Sequence, residues 1–477
     1  MTKPTPVKKI VLGLAIAGAV VFAGAYGYAV APTETRKIEP GPQLANLANG
    51  AKPDAGLIEK GRYVATASDC IACHTAPGGK EFAGGRAIQS PIGNMYATNV
   101  TPDKDTGIGN YSLDDFDRAV RHGIVPSGGT LYPAMPFPSY ARMSDDDMRA
   151  LYAYFMHGVE PVKQANRDNE ISWPLSTRWP LGIWRKTFVP VQGPMDLSKY
   201  SDQRIGRGAY LVQSLGHCGS CHTPRAATLN ELALDESGPE YLSGGPLIDG
   251  WLAVNLRGDK VGGMGDWSQK DIVDTLKSAR NSHTAVVGGP MNDVVSHSTQ
   301  HMTDADLNAM AAYLKTLPAT GKTKSTFAAN DTTAKELFAG IEKNRGAQLY
   351  LDNCAACHRT DGKSNRIVFP ALPGNPTVLS DDPTSLIRVV LAGSRLPSTK
   401  TAPSDLGMPG FAWRLSDDET AQLVTFVRQS WGNNAAAATA SDVKKVRGSI
   451  DEQELKAGNV TSLEEMRKIT GAEQKVH

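Results

Sequence analysis

The chain has 477 residues, 50 basic and 49 acidic side chains and a formal net charge of +1, with 47 glycines, 30 prolines and six cysteines. A length of this order exceeds one small core and predicts about three domains of roughly 100 to 150 residues. The near-zero net charge excludes a global basic or acidic field, and with it any compositional argument for nucleic acid or a polyanionic partner.

In chain order, Lys3, Lys8 and Lys9 precede an apolar, uncharged run from Ile10 to Pro32. A positive flank before an apolar stretch is an export signal, read either as a cleaved signal peptide or as an anchor with its lysines in the cytoplasm. About twenty apolar residues suffice to span hydrocarbon, longer than the usual signal core of roughly 7 to 15, so the run favours an anchor helix over residues 1–32. Ala23-Gly24-Ala25 offers small residues where a peptidase could cut, and Pro32 discourages cutting after Ala31. Either outcome exports the rest, which is expected to be periplasmic and bound to or facing the bacterial inner membrane. Residues 33–56, rich in Pro, Gly, Ala and Asn without a clear period, read as a linker.

Cys70-Ile71-Ala72-Cys73-His74, Cys218-Gly219-Ser220-Cys221-His222 and Cys354-Ala355-Ala356-Cys357-His358 are three copies of C-x-x-C-H and use every cysteine. Two thiols one helical turn apart reach the two vinyl groups of one porphyrin, and the next imidazole approaches the iron. The motif therefore predicts three covalently bound haem c groups, with Cys70, Cys73, Cys218, Cys221, Cys354 and Cys357 as attachment points. His74, His222 and His358 are the expected proximal iron ligands. Three disulfides would leave the repeated histidine unexplained, and a zinc site needs four ligands gathered in one place, whereas these pairs lie far apart along the chain.

A pattern recurs around each motif: an opening helix with Gly and aromatic residues, the motif, a Gly/Pro-rich loop, a methionine and a closing helix. The openings are Gly61-Arg62-Tyr63-Val64, Gly208-Ala209-Tyr210-Leu211 and Gly346-Ala347-Gln348-Leu349-Tyr350. The closing helices start at Ser144, Thr303 and Ser416, each followed three residues later by an acid, an N-cap signature. Leu151 to Phe155, Ala311 to Leu314 and Leu423 to Val427 then place an apolar stripe that should cross the opening helix. The first two repeats share more: Phe82-Ala83-Gly84-Gly85 matches Leu242-Ser243-Gly244-Gly245, and Thr98-Asn99-Val100 matches Val254-Asn255-Leu256.

The expected fold is mostly α, with cytochrome c-like domains over 57–160, 201–320 and 332–434. A Trp/Pro-rich bridge over 161–200 is expected to pack across domains. A linker covers 321–331, and the tail 435–477 reads as a solvated or disordered segment.

For the opposite face of the iron, Met408 in Leu406-Gly407-Met408-Pro409-Gly410 is the one Met or His of the third repeat besides His358. Position in the repeat assigns the same distal role to Met135 and Met291, because methionine thioether is the common partner of histidine in cytochromes c. Met95 and Met264 compete, without counterparts in all three repeats. Met143, Met148, Met156, Met302 and Met310 read as packing residues, and His122, His157, His217, His283, His297 and His301 as solvent-facing or hydrogen-bonded. No nucleotide-binding glycine motif, H-E-x-x-H or nucleophile elbow is present, so no catalytic residue is assigned and substrate oxidation belongs to another subunit.

From about Leu57 to Asn433 the chain resembles the three-haem cytochrome c subunits of bacterial membrane-bound dehydrogenases. The resemblance rests on the three haem motifs, Thr98 to Asp103 with Gly107-Ile108-Gly109, Leu131-Tyr132-Pro133-Ala134-Met135-Pro136, and Leu181-Gly182-Ile183-Trp184. It implies a catalytic dehydrogenase partner carrying pyrroloquinoline quinone, flavin, or molybdopterin with iron-sulfur centres, oxidising an alcohol or aldehyde, and delivery of electrons to ubiquinone. The uncleaved anchor tilts the expectation towards the molybdenum, aldehyde-oxidising type. A shuttle to a soluble cytochrome or terminal oxidase and a multihaem peroxidase are the alternative classes; a stable methionine on every iron argues against the peroxidase.

Overall fold

The computed structural model describes residues 6–48, 54–189, 193–283, 286–364 and 368–451. The acidic and basic tail positions from Glu452 onward, and Lys3, lie outside the described residues. The chain divides into two compact units, Met1–Asp196 and Leu197–His477.

In the first unit, helix α1 (Pro6–Val30) exposes Ile10, Leu14, Val21 and Phe22. Among the described residues no helix is long and apolar enough to cross a membrane. Helix α2 (Gly41–Ala48) follows, then α3 (Ala55–Ala67), N-capped by the Asp54 carboxylate, which accepts from Gly56 N at 2.8 Å. A short helical turn, Cys70–His74, carries the first motif. Strands β1 (Ala87–Ile88), β2 (Gly93–Tyr96) and β3 (Glu170–Ile171) form a small antiparallel sheet in that order, with Ile88 opposite Met95 and Gly93 opposite Ile171. Helix α4 (Leu113–His122) starts with a reciprocal Ser112–Asp115 capping box, helix α5 (Asp145–His157) is capped by Ser144, and helix α6 (Pro180–Phe188) lies in the bridge.

In the second unit, α7 (Gln203–Tyr210) widens into a π-helical turn, Leu211–Leu215, just before the second motif. Strands β4 (Leu247–Ile248) and β5 (Trp251–Leu252) make a hairpin. Helices α8 (Gln269–Ser278), α9 (Met291–His297) and α10 (Asp304–Leu314) complete the second repeat. Strand β6 (Thr326–Phe327) leads into the third repeat, with α11 (Arg345–Asn353), α12 (Thr384–Ala392), strands β7 (Ser394–Arg395) and β8 (Gly407–Met408), and α13 (Asp417–Gln429). Strand β9 (Asn433–Asn434) pairs back on β6, and α14 (Ala440–Arg447) ends the described chain.

The expected crossing of opening and closing helices occurs three times with one geometry. A Cβ on Gly61 would lie 2.0 Å from Ala150 O and 2.6 Å from Tyr154 Cβ; on Gly208, 2.0 Å from Ala309 O and 2.8 Å from Tyr313 Cβ; on Gly346, 2.5 Å from Gln422 O and 2.7 Å from Phe426 Cβ. In each repeat the glycine meets a carbonyl of the closing helix and the aromatic ring four residues on, which share one helix face. Any side chain at the glycine would push the two backbones apart and open the core. The predicted caps hold as well: Ser144, Thr303 and Ser416 Oγ accept from the amides of Asp147, Asp306 and Glu419. Each such cap is worth about 1 kcal/mol.

Two segments differ from the sequence expectation. The linker contains α2, where Leu44 is buried against Leu57, Ala150 and Ala153, and Arg149 Nε donates to Glu39 O at 2.7 Å. A two-turn helix is too short to show a period, and the packing of one leucine stabilises it. The tail begins with α14, whose Val443 and Val446 enter the third repeat's core, while Arg447 binds Asp417 at 2.8 Å and the carbonyls of Ala412 and Leu415. It is not a free solvated helix, because two valines a turn apart supply just enough apolar face. The bridge does pack, and within the first unit it packs on the first repeat and α1. Arg178 stacks on Tyr132 at 4.3 Å, Trp184 meets Phe137 edge-on at 6.3 Å, and Trp179 packs against Phe22 and Tyr26. Trp173 stays 82% exposed.

Candidate haem sites

Each motif forms a single helical turn directly after its opening helix: Cys70–His74, Gly219–His222 following Cys218, and Ala355–His358 following Cys354. The turn puts the two thiols and the imidazole of each motif within one revolution of backbone. No disulfide joins the six cysteines. Burial pushes the Cys70 thiol up strongly, and those of Cys218 and Cys354 up to about 12, each helped by the second cysteine of its own motif.

The histidines share one arrangement that residue types did not announce. His74 Nδ1 donates to Thr98 O at 2.7 Å and His222 Nδ1 to Val254 O at 2.7 Å. His358 Nδ1 faces Ser364 Oγ at 3.2 Å and Pro370 O at 3.3 Å. A carbonyl can only accept, so the proton of each neutral ring sits on Nδ1 and Nε2 keeps its lone pair. Burial lowers the pKa of all three rings, which keeps them neutral, while the backbone bond acts in the opposite direction. This is the tautomer a metal-binding imidazole needs, and the carbonyl both orients the ring and raises its basicity.

The acceptors are held in turn. Asn99 Oδ1 takes Thr101 N at 2.9 Å, and Asn255 Oδ1 takes Arg257 N at 2.8 Å, so an Asx turn follows each accepting carbonyl. On the other side, Gly84 N donates to His74 O and Gly244 N to His222 O, while Phe82 N and Leu242 N donate to Thr75 and Thr223 Oγ1 at 3.0 Å. The matched strings of the first two repeats are therefore the cradle of the motif histidine. Thr98 and Val254 were visible as equivalent positions, but a backbone carbonyl carries no side-chain signature, and Ser364 and Pro370 had no counterpart to compare.

Met135 lies in a tight turn in which Phe137 N donates to Met135 O at 2.8 Å, Met291 opens α9, and Met408 sits in β8 opposite Ser394. All three are half-buried. Met143, Met148, Met302 and Met310 are buried in the helical cores, and so are the competitors Met95, in β2, and Met264. His122 is buried, and its pKa falls to about 4 through burial and the neighbouring Arg121, Arg185 and Arg118. His301 Nε2 is within 3.0 Å of Ser296 O, and His283 packs near Trp267. Among the described residues no three His, Cys, Asp or Glu side chains gather into a further metal cluster.

Paired thiols on one turn, followed by an imidazole with Nε2 available, are the donor set of haem c, and a thioether suits the opposite axial position. The cytochrome c family profile matches residues 58–158, 205–318 and 344–431, one segment around each motif. The chain is 52% identical over 408 residues to the gluconate 2-dehydrogenase cytochrome c subunit of Pantoea cypripedii, covering 85% of this chain and 92% of that one. It is 52% identical over 402 residues to the cytochrome c subunit of the quinone alcohol dehydrogenase of Gluconobacter oxydans, covering 84% of each. With the fructose dehydrogenase cytochrome subunit of Gluconobacter japonicus it shares 38% over 411 residues, 82% of each chain. The chain belongs to the cytochrome c family, among the cytochrome c subunits of dehydrogenases.

Proposed function

We propose that this chain is a periplasmic, membrane-tethered three-haem cytochrome c that takes electrons from a catalytic dehydrogenase subunit and passes them to ubiquinone. Haem c would be attached at Cys70/Cys73, Cys218/Cys221 and Cys354/Cys357. Its iron would lie between His74 and Met135, His222 and Met291, and His358 and Met408, in domains spanning 57–160, 201–320 and 332–434. The observation that carries the reading is the threefold recurrence of an imidazole hydrogen-bonded through Nδ1 one turn from a thiol pair. When bound, haem supplies a one-electron Fe(III)/Fe(II) couple. The protein's own part is to keep each imidazole neutral and aimed, and to hold a thioether loop rigid so that little reorganises when charge changes.

Attachment to the membrane is supported by the uncharged stretch from Ile10 to Pro32 and the exposed apolar side chains of α1, which do not amount to a spanning helix among the described residues. Lys186 Nζ donates to the carbonyls of Tyr28 and Ala31, and Arg185 Nη2 to Thr33 Oγ1 at 2.7 Å, so the bridge holds the end of α1. The relatives at 52% identity serve gluconate and quinone alcohol dehydrogenases by name, which favours a sugar-acid or alcohol-oxidising partner over a molybdenum aldehyde enzyme.

The test is purification of the chain from its native membrane, with haem count by mass spectrometry. The expected result is three covalent haems co-purifying with a dehydrogenase subunit, reduced by that subunit's substrate and reoxidised by a quinone analogue. A lone three-haem chain that quinone does not reoxidise would replace this reading with a shuttle to another cytochrome. Met408→Ala should remove the six-coordinate low-spin signal of one haem in three; an unchanged spectrum would reject that ligand.

A further inference from the structure

In the first unit, the short run from Thr130 to Phe137 that carries Met135 is gripped at both ends by the bridge. Arg178 Nη2 donates to Thr130 O at 2.7 Å, and its guanidinium lies over the Tyr132 ring, 4.3 Å from the centroid. Tyr132 O in turn accepts from Met135 N at 3.2 Å, and Met135 O accepts from Phe137 N at 2.8 Å. The Phe137 ring is fully buried: it meets Trp184 edge-on at 6.3 Å, and a Cβ on Gly123 would lie 2.7 Å from it. Both backbone groups of Met135 are thus bonded to residues whose rings pack against the bridge. Met291 opens α9 and Met408 lies in β8, each in a different local setting.

The same bridge holds the end of α1. Helix α6 comes so close that a Cβ on Gly182 would lie 2.2 Å from Ala29 O. Gly182, Arg185 and Lys186, spaced three and four apart, share one face of α6. From that face Lys186 Nζ donates to Tyr28 O and Ala31 O, as a cation does at a helix C-terminus. Trp179, just before α6, packs edge-on against Phe22 and Tyr26. Arg185 touches both structures. It is only 5% exposed, and it donates from Nη2 to Thr33 Oγ1 at 2.7 Å, just past α1, and from Nε to Thr130 Oγ1 at 3.4 Å, where the Met135 run begins. A rigid guanidinium fork can hold two groups in fixed relation in a way that a flexible ammonium cannot.

We propose that the bridge is a strap for Met135, in which Arg178 and Arg185 tie the first distal loop to the seat of α1. Methionine ligation at the first haem then depends on the segment that attaches the chain to the membrane. The two arginines are positioning residues: they act on the thioether through Thr130, Tyr132 and the backbone bonds of Met135. The inference rests on the assignment of Met135 as a distal ligand.

The experiment follows the methionine-to-iron charge-transfer band of the full haem-loaded chain while added imidazole displaces the thioether, with Met135→Ala marking the band of the first haem. Arg178→Ala and Arg185→Met should each speed displacement at that haem roughly tenfold and leave the other two at the wild-type rate. Arg178→Lys, which keeps a donor for Thr130 O, should slow it again towards wild type, a rescue that general loosening of the first unit would not give. Gly182→Val, which lifts α1 from the bridge without altering a residue of the Met135 run, should speed displacement at the first haem as well. Unchanged rates in both arginine variants, equal acceleration at all three haems, or no rescue by lysine overturns the strap; a wild-type rate in Gly182→Val overturns its link to α1. Should Arg185→Met fail to load haem, the exposed Arg178 decides through its alanine and lysine variants. If Met135→Ala keeps every methionine band, the ligand assignment falls and this inference with it. A band lost in Met135→Ala, with unmoved rates in the arginine variants, rejects this inference alone.

Discussion

The first two repeats and the third hold the histidines of their C-x-x-C-H motifs differently. His74 and His222 each give one short bond to a backbone carbonyl stiffened by an Asx turn, whereas His358 shares longer contacts between a serine hydroxyl and a proline carbonyl. With haem bound as proposed, a shorter bond to Nδ1 would make the imidazole a better donor and favour Fe(III), so the third site is expected to have the highest potential of the three from this cause. The same fold thus keeps the helix crossing constant and varies the outer hydrogen bond.

The largest expected effect tests the constant part. Gly61→Val and Gly208→Val, where a Cβ would already lie 2.0 Å from a carbonyl oxygen, should cost about 3 kcal/mol or more, and Gly346→Val, at 2.5 Å, about 2 kcal/mol. Denaturant unfolding and haem content measure all three, and a negligible cost at any one of them would show that its crossing does not share this geometry.

Acid separates the repeats next. His122, buried in the first repeat, has its pKa lowered from 6.5 to about 4. Between those values the unfolded chain binds a proton that the folded chain excludes, so stability is highest above pH 6.5, falls as the pH drops through the window, and levels off below it. The loss amounts to about 3 kcal/mol over the whole window. Urea titrations at pH 7 and 4.5 should show a steeper loss in wild type than in His122→Gln; parallel losses would reject the assignment.

Asn99→Ala and Asn255→Ala should make the first two repeats resemble the third. Each frees the turn behind its carbonyl, weakens iron–imidazole binding by roughly tenfold, about 1.4 kcal/mol, and raises the midpoint of its own haem. Ser364→Ala in the third repeat removes one of two shared contacts, with a smaller effect of about 1 kcal/mol or less confined to the third haem. Potentiometry on each variant reads these shifts, and a change spread over all haems would contradict the local origin. The smallest difference lies in the caps. Ser416 sits in a reciprocal box with Glu419, so Ser416→Ala should cost about 1 kcal/mol in thermal unfolding, slightly more than Ser144→Ala.

What the sequence determined by itself were the elements whose physics is local. The three C-x-x-C-H turns, the Ser/Thr caps at 144, 303 and 416, and the crossing glycines at 61, 208 and 346 each follow from residue type and spacing within a few positions. The similarity of the first two repeats was legible too, although its meaning was not. Tertiary structure alone decided which carbonyl meets each Nδ1, because an amide oxygen is the same atom in every residue and only the loop's path selects it. It also decided that Leu44 and the Val443/Val446 pair are buried, since a few apolar side chains on a two-turn helix gain their stability from the surface they meet. The contact of the Met291 and Met408 loops through Gly288, Trp251 and Ser394 joins residues more than a hundred positions apart. Spacing along a chain cannot encode such a meeting; the shapes of two folded repeats do.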